Sequence, residues 1–123
     1  MKIEVSNGEL LDKLSILEIK VSKISDPVKL NNINKELVIL QETAESVLPM
    51  VRTLYADLLR VNACLWAIED HIRDLESHQQ FDAGFVETAR SVYHLNDERA
   101  RIKREIDVIT GSELIEEKSY QGY

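Results

Sequence analysis

The chain has 123 residues, of which 44% are apolar and 30% are charged, with only four glycines and two prolines. This composition fits long amphipathic helices rather than a disordered chain. The net charge of −7 argues against nucleic-acid binding, which requires an excess of lysine and arginine. A single cysteine, no apolar N-terminal leader and no apolar run long enough to span a membrane predict a cytoplasmic protein without membrane insertion.

The first helix is predicted over about residues 7–24. Ser6 and Glu9 have the S-x-x-E spacing of a capping box, and apolar periodicity follows at once. Asp26 then suits the N-cap of the next helix, and Pro27 suits its first position, where a missing N–H costs nothing. So short a connection predicts that these two helices are antiparallel neighbours.

An apolar stripe with alternating spacings of three and four residues runs from Leu30 to Leu75. One face of a helix produces this pattern, and a strand does not. Pro49 lies within the stripe, which passes through it in phase. We therefore predict an all-α protein of three helices with coiled-coil-like antiparallel hairpins, its long central helix covering about 27–78 with a kink at Pro49. The alternative is a four-helix bundle in which Pro49 breaks the chain.

The last helix is predicted over about residues 83–110, with Asp82 as its cap and Gly111 as its C′ residue. The tail, residues 111–123, is either frayed or folded back on the bundle by Tyr120 and Tyr123. Residues 1–123 thus form a single helical domain. Because two-helix hairpins leave apolar surface uncovered, the extended arrangement predicts a homodimer.

Acidic pairs three residues apart are the first pattern that could carry chemistry. Glu9/Asp12 and Glu42/Glu45 have the spacing with which all-helical nucleotide pyrophosphatases bind magnesium, which makes such an enzyme one alternative. The heptad phase of the apolar stripe, however, places all four carboxylates outside the bundle, and solvated helix faces are the favoured interpretation. The histidines lack metal-ligand spacing, so neither a metal nor a cofactor is expected.

A polar and aromatic face is the second pattern. Asn62, Trp66, Glu69 and Arg73 lie four, three and four residues apart, with Asp70 beside them. Tryptophan and arginine are frequent anchors of protein interfaces. The simpler interpretation is an amphipathic face with a Glu69–Arg73 ion pair and a packed aromatic ring.

The last helix carries a polar stripe opposite this face. An antiparallel hairpin would place Asn62 near Asn96 or Arg99, and would bring Glu69 or Asp70 within reach of Arg90 or His94. The candidates for a polar face or interface are therefore Asn62, Trp66, Glu69, Asp70, Arg73, Arg90, Tyr93, Asn96, Asp97, Arg99 and Arg101. Arginines could also receive a carboxylate, so a small mutase or lyase that binds a dicarboxylate through Arg90, Arg101 and Arg104 is a further alternative.

Three segments of the chain resemble a functionally uncharacterised family of small all-helical bacterial and phage proteins. They are residues 8–20, which contain a DKLSILEIK-type motif, residues 65–70 and residues 89–100; residues 116–120 also fit. The resemblance covers essentially the whole chain and supports the helical fold. It implies an accessory role, because some relatives neighbour or are fused to surface-polysaccharide and glycosyltransferase proteins, and it carries over no catalytic residue. It directs attention to the charges of the motif: Asp12, Lys13, Glu18 and Lys20.

These observations predict a non-enzymatic, self-associating interaction module rather than an enzyme. Its partner is expected to be a second copy or another protein, engaged through the Trp66/Arg73 face or the arginine-rich last helix.

Overall fold

The computed structural model describes all 123 residues, and its regular elements are helical, which confirms the all-α fold class. The four α-helices are α1 (Asn7–Lys23), α2 (Pro27–Ala44), α3 (Arg52–Ser77) and α4 (Ala83–Ile109). A short 3₁₀ turn, Leu48–Met50, lies between α2 and α3.

The helix ends follow the local sequence signals. The Ser6 hydroxyl accepts the Glu9 N–H at 3.1 Å, so the predicted N-cap of α1 is confirmed. Asp26 caps α2 with Pro27 as its first residue, and Asp82 caps α4. Gly111 follows α4 with a φ of +62°, a left-handed conformation that glycine adopts without a steric penalty.

The predicted continuous helix over residues 27–78 is wrong, and the alternative of four helices is the one that fits. α2 ends at Ala44, and α3 begins only at Arg52. In a continuous helix the ring of Pro49 would clash with the carbonyl of Glu45, and the backbone hydrogen bond from residue 49 would be lost. The chain instead turns through residues 45–51. Val51, the first residue of the stripe after Pro49, is still buried, with 4% exposure.

Helix α1 lies at the centre of the structure, because it contacts α2, α3 and α4. Buried residues consequently occur on most of its sides, whereas α2, which contacts only α1 extensively, has just two. The core contains residues from all four helices: Leu10, Leu11, Leu14, Ala44, Val51, Leu58, Val61, Leu65, Ile102 and Ile106. No residue of the predicted apolar stripe is exposed.

The start of α1 is held close against the end of α4. The Gly8 N–H donates a hydrogen bond of 2.6 Å to Oδ1 of Asp107, which is 2% exposed. A Cβ atom at position 8 would collide with the backbone carbonyl oxygen of Lys103, so only glycine allows this approach. Burial raises the pKa of Asp107 and outweighs the opposing effect of the Gly8 hydrogen bond. This contact fixes how α1 crosses α4 and therefore positions the residues described next.

Candidate functional site

A buried polar cluster lies where α1 crosses α3 and α4. The Asp12 carboxylate is 2% exposed and receives a two-pronged contact from Arg99, with Nε 2.8 Å from Oδ1 and Nη2 2.5 Å from Oδ2. This planar arrangement is the strongest form of arginine–carboxylate pairing. The hydrogen bonds to Asp12 raise the pKa of Arg99, so the guanidinium remains charged.

Asn62 completes the cluster from α3. Its Nδ2 donates to Oδ1 of Asp12 at 2.9 Å and to Oγ of Ser15 at 2.7 Å, and the Ser15 hydroxyl donates to the Asp12 carbonyl at 2.7 Å. Every buried polar side chain of this group therefore has a partner. A buried network whose members are all satisfied fixes one relative placement of three helices.

The prediction that Asp12 points outward is wrong. The heptad phase assumed that α1 packs against α2 alone, whereas it packs against three helices, so its side opposite α2 is buried as well. Glu42 of α2 and Glu45, which directly follows that helix, are exposed, as predicted, and α2 has little contact with α4. Asp12 is already paired with Arg99, and no group of three or more His, Cys, Asp or Glu side chains is placed to hold a metal ion. The geometry thus does not support a magnesium-dependent pyrophosphatase.

Lys103 links this crossing to the C-terminal tail. Its Nζ lies 2.8 Å from Glu9 on α1 and 3.1 Å from Glu116 in the tail, and only 11% of its side chain is exposed. Burial alone would lower the pKa of Lys103, but the hydrogen bond to Glu9 and the charge of Asp12 outweigh it and raise the pKa. Lys103 is therefore a fixed positive charge at the edge of the buried cluster.

A groove of about 1020 Å³ opens beside Lys103 along α4. Helix α4 lines it with Tyr93, Asn96, Asp97, Arg99 and Lys103, α1 adds Glu9, and residues of the tail form its other wall. The groove therefore combines both signs of charge with aromatic rings. A surface of this kind can position a flexible partner through directed polar contacts.

The tail folds back along α4, as the second of the two sequence alternatives predicts. It starts at Ser112, whose Oγ accepts the Asn7 N–H at 3.0 Å. Glu116 then contacts Lys103, and Glu117 contacts Arg104 at 2.6 Å. The tail thus runs towards the N-terminal end of α4 and ends against Tyr93, His94 and Asp97.

Tyr123 makes the last contact of the tail. Its ring packs edge-on against Tyr93 and His94, with centroid distances of 5.1 and 5.0 Å. Its hydroxyl donates to the Asp97 carboxylate and lies 3.2 Å from Nδ1 of His94. The hydrogen bond to Asp97 raises the pKa of the Tyr123 hydroxyl. Tyr120, by contrast, lines the groove without such a partner and is 78% exposed.

The structure brings together some of the residues that the sequence singles out. Asn62, Asp12 and Arg99 meet in the buried cluster, although Asn62 reaches Arg99 through Asp12 rather than directly. Tyr93, Asn96, Asp97 and Arg99 share the groove. The groove side of α4 is therefore where the predicted polar residues converge.

The remaining predicted residues lie elsewhere. Trp66 is half-buried, Asp70 is exposed, and Glu69 pairs with Arg73 at 3.3 Å in solvent. This arrangement agrees with the simpler of the two interpretations of that face, an amphipathic surface with an ion pair. Neither Glu69 nor Asp70 makes a polar contact with Arg90 or His94. Arg90 donates to the Tyr93 hydroxyl at 3.2 Å, and Nδ1 of His94 lies 3.2 Å from the Tyr123 hydroxyl.

The charges of the DKLSILEIK-type motif are also dispersed. Lys13 is exposed and 3.8 Å from Glu9, and Lys20 is half-buried. Glu18 lies beside Tyr55, and burial, together with the negative charge of Glu18, raises the pKa of the Tyr55 hydroxyl. Of the four motif charges, only Asp12 is part of the polar cluster.

The three arginines proposed to hold a dicarboxylate do not converge on one cavity. Arg101 and Arg104 line a depression of about 330 Å³, which Arg90 does not reach. Each is already engaged: Arg101 with Glu105 at 2.6 Å, and Arg104 with Glu117. The geometry thus does not support a mutase or lyase of this design.

Sequence reasoning misses three residues that complete the cluster and the groove: Ser15, Lys103 and Glu116. A signal existed for Ser15, because leucine and isoleucine occur on several sides of α1 around it, and a helix that is apolar on most sides is buried. A serine or aspartate within such a helix requires a partner. Lys103 and Glu116 had no comparable signal, because their contact depends on the path of the tail.

Comparison with known proteins identifies a family whose function is unknown. The model of a protein family described as "Family of unknown function (DUF6165)" matches residues 1–123. No curated protein and no solved structure matches the chain. None of the helices combines the length and apolar character needed to cross a membrane.

Proposed function

The chain belongs to DUF6165, a family of unknown function, and we propose that it is a non-enzymatic interaction module whose binding site is the groove along α4. One observation carries the proposal: residues 113–123 of the tail lie along α4 and are held there by side-chain contacts. A helix face that holds this tail through ion pairs and an aromatic contact has the chemistry required to bind a segment of another protein.

Binding suits the groove better than catalysis does, because its charged groups are already paired. Arg99 is held by Asp12, and Lys103 is held by Glu9. A general acid or base must exchange a proton with substrate, and a nucleophile must be free to attack. Fixed ion pairs instead provide preformed contacts that lose little entropy when a partner binds.

Two further parts of the proposal have weaker support. Self-association is supported by exposed apolar side chains on α2, where Val38 and Ile39 are 55% and 64% exposed. Light scattering of the full chain tests it, and a pure monomer would contradict it. A cytoplasmic location is supported by the single cysteine, Cys64, which cannot form an internal disulfide. An accessory role in surface-polysaccharide biosynthesis is supported by the sequence resemblance.

The binding proposal can be tested with a random peptide library selected against the full chain. We expect the enriched peptides to lose at least tenfold in affinity when Asp97 in the groove is changed to arginine. The matched control is Asp70→Arg, the same charge reversal on the exposed surface of α3. Peptides that are indifferent to Asp97→Arg, or a selection that enriches no binder, would contradict the proposal.

A further inference from the structure

The contacts of the tail define what the groove recognises, and this inference rests on the proposed function. We propose that the α4 wall of the groove binds an extended peptide in which two adjacent acidic residues precede a tyrosine, running antiparallel to α4 in the place of the tail that now forms the other wall. The tail, residues 113–123, has this pattern itself and acts as an intramolecular competitor for the site. Glu116, Glu117 and Tyr123 are the residues that occupy it.

Two adjacent cations of α4 form the acidic subsite: Lys103 lines the groove, and Arg104 lines the smaller depression of about 330 Å³. Nζ of Lys103 pairs with Oε2 of Glu116 at 3.1 Å, and Nη1 of Arg104 pairs with Oε1 of Glu117 at 2.6 Å. Lys103 is shared with Glu9, so it keeps a partner when the tail leaves. Arg104 has no ion pair other than that with Glu117, and half of its side chain is exposed. Departure of the tail therefore leaves one unpaired cation and one cation with spare hydrogen-bonding capacity, which favours a ligand with adjacent carboxylates.

An aromatic subsite lies about two turns further towards the start of α4. Tyr93 and His94 provide the rings against which Tyr123 packs, and Asp97 accepts its hydroxyl hydrogen. A phenylalanine could make the ring contacts but would leave the Asp97 carboxylate without this donor. The subsite therefore prefers tyrosine to phenylalanine.

The tail is bound weakly enough to be displaced. Every residue from Glu113 to Tyr123 is exposed, and the Arg104–Glu117 pair is 52% and 70% exposed at its two side chains. Exposed ion pairs of this kind contribute little to stability. The tail occupies the site because its root at Ser112 is fixed, which gives it an effective concentration in the millimolar range. A separate peptide must compete with that local concentration.

The experiment measures binding of a fluorescent peptide with the sequence of residues 112–123 to the full chain by anisotropy. One receptor is the unchanged chain, and the other is the full-length triple variant Glu116→Ala, Glu117→Ala and Tyr123→Ala. The three residues are exposed, so we expect the fold to be retained, which circular dichroism checks. We expect the triple variant to bind the peptide at least tenfold more tightly. Equal affinity would show that the tail is not a competitor.

A charge exchange tests the acidic subsite within the triple variant. Arg104→Glu should weaken binding about tenfold, and a peptide carrying Glu117→Arg should restore it. A peptide with Tyr123→Phe should bind about tenfold less tightly than the parent, since the hydroxyl contact is lost. The subsite assignments are wrong if the exchanged pair gives no recovery or if phenylalanine binds as well as tyrosine.

The outcomes separate this inference from the proposed function. Library peptides that depend on Asp97, together with a tail peptide that does not bind, would leave the α4 groove as a binding site and overturn the acidic–tyrosine pattern. Failure of both the library peptides and the tail peptide would overturn both proposals.

Discussion

The covered centre of the α3–α4 hairpin differs sharply from its distal end, although one apolar stripe runs through both. In the centre, α1 crosses the two helices, and Leu58 and Val61 are completely buried. At the distal end, Ile68, Ile72 and Leu75 continue the stripe of α3 but are only half-buried, because α4 is the principal neighbour there. The polar residues follow the same division: Asn62 is buried and bonded, whereas Glu69 and Arg73 pair in solvent.

The difference shows that the sequence pattern determines which face of α3 turns inward, while the number of neighbouring helices determines how deeply it is buried. Two helices cover a narrow seam, whereas a third helix also covers the flanks of that seam. Segments with few buried contacts open locally at lower free energy than the core. The distal end is therefore expected to be the more dynamic part of the hairpin.

The largest expected effect contrasts a leucine from each region. Leu58→Ala removes a completely buried side chain and should lower the free energy of unfolding by about 3 kcal/mol. Leu75→Ala, at the distal end, should cost about 1 kcal/mol, because less apolar surface leaves contact and solvent can fill the space. Urea unfolding of both variants measures the difference. Equal losses would mean that another surface covers the distal end, and stability that rises with protein concentration would identify a second copy.

The polar centre can be tested by removing its carboxylate. Asp12→Ala leaves Arg99 and Asn62 without their shared partner and should cost about 3 kcal/mol, in the range for breaking a buried ion pair. The control is Lys13→Ala, one residue further along α1, where an exposed side chain should change stability by less than about 0.5 kcal/mol. Similar small effects for both variants in urea unfolding would show that the cluster is not essential for the crossing of α1.

The helix ends could be predicted from the sequence, because they depend on residues that are neighbours in the chain. Ser6, Asp26 and Asp82 satisfy the free N–H groups of the helix starts, and Gly111 adopts the left-handed conformation at the end of α4. These roles require only the residues within one turn. The break at Pro49 was harder to predict, since the stripe stays in phase across the turn and phase continuity is equally compatible with a kinked helix.

The polar cluster was harder to predict from the sequence, because it depends on how the helices cross. The burial of Asp12 follows from three neighbours of α1, and its partners lie 50 and 87 residues away in the chain. The close approach permitted by Gly8 also has no distinctive sequence pattern, since the atoms that it approaches belong to Lys103 and Asp107, far along the chain. Sequence reasoning could identify Asn62 and Arg99 as polar candidates on facing helices, but not the α1 carboxylate that joins them.

The smallest expected effect concerns the docking of the tail, which should depend on pH at both extremes. The Glu116 pKa is lowered by Lys118 within the tail and by Lys103 across the groove, and only the part due to Lys103 is linked to docking. Because docking lowers this pKa, its contribution is complete above the ordinary glutamate pKa of about 4.3 and is lost as the pH falls through the docked value. Glu9 shares Lys103, so the acid effect should be modest.

Docking shifts the pKa of Tyr123 in the opposite direction to that of Glu116. Docking against Asp97, with Tyr93 and His94 beside it, raises its pKa, so its contribution is complete below the ordinary tyrosine pKa of about 10 and is lost as the pH rises through the docked value. The NMR signal of the Gly122 amide should therefore move towards its undocked position at both acid and alkaline pH. Glu116→Gln should weaken the acid transition, and Tyr123→Phe should remove the alkaline one. If the Gly122 signal keeps both transitions in these variants, the pH dependence comes from other groups, and the contacts of Glu116 and Tyr123 do not control docking of the tail.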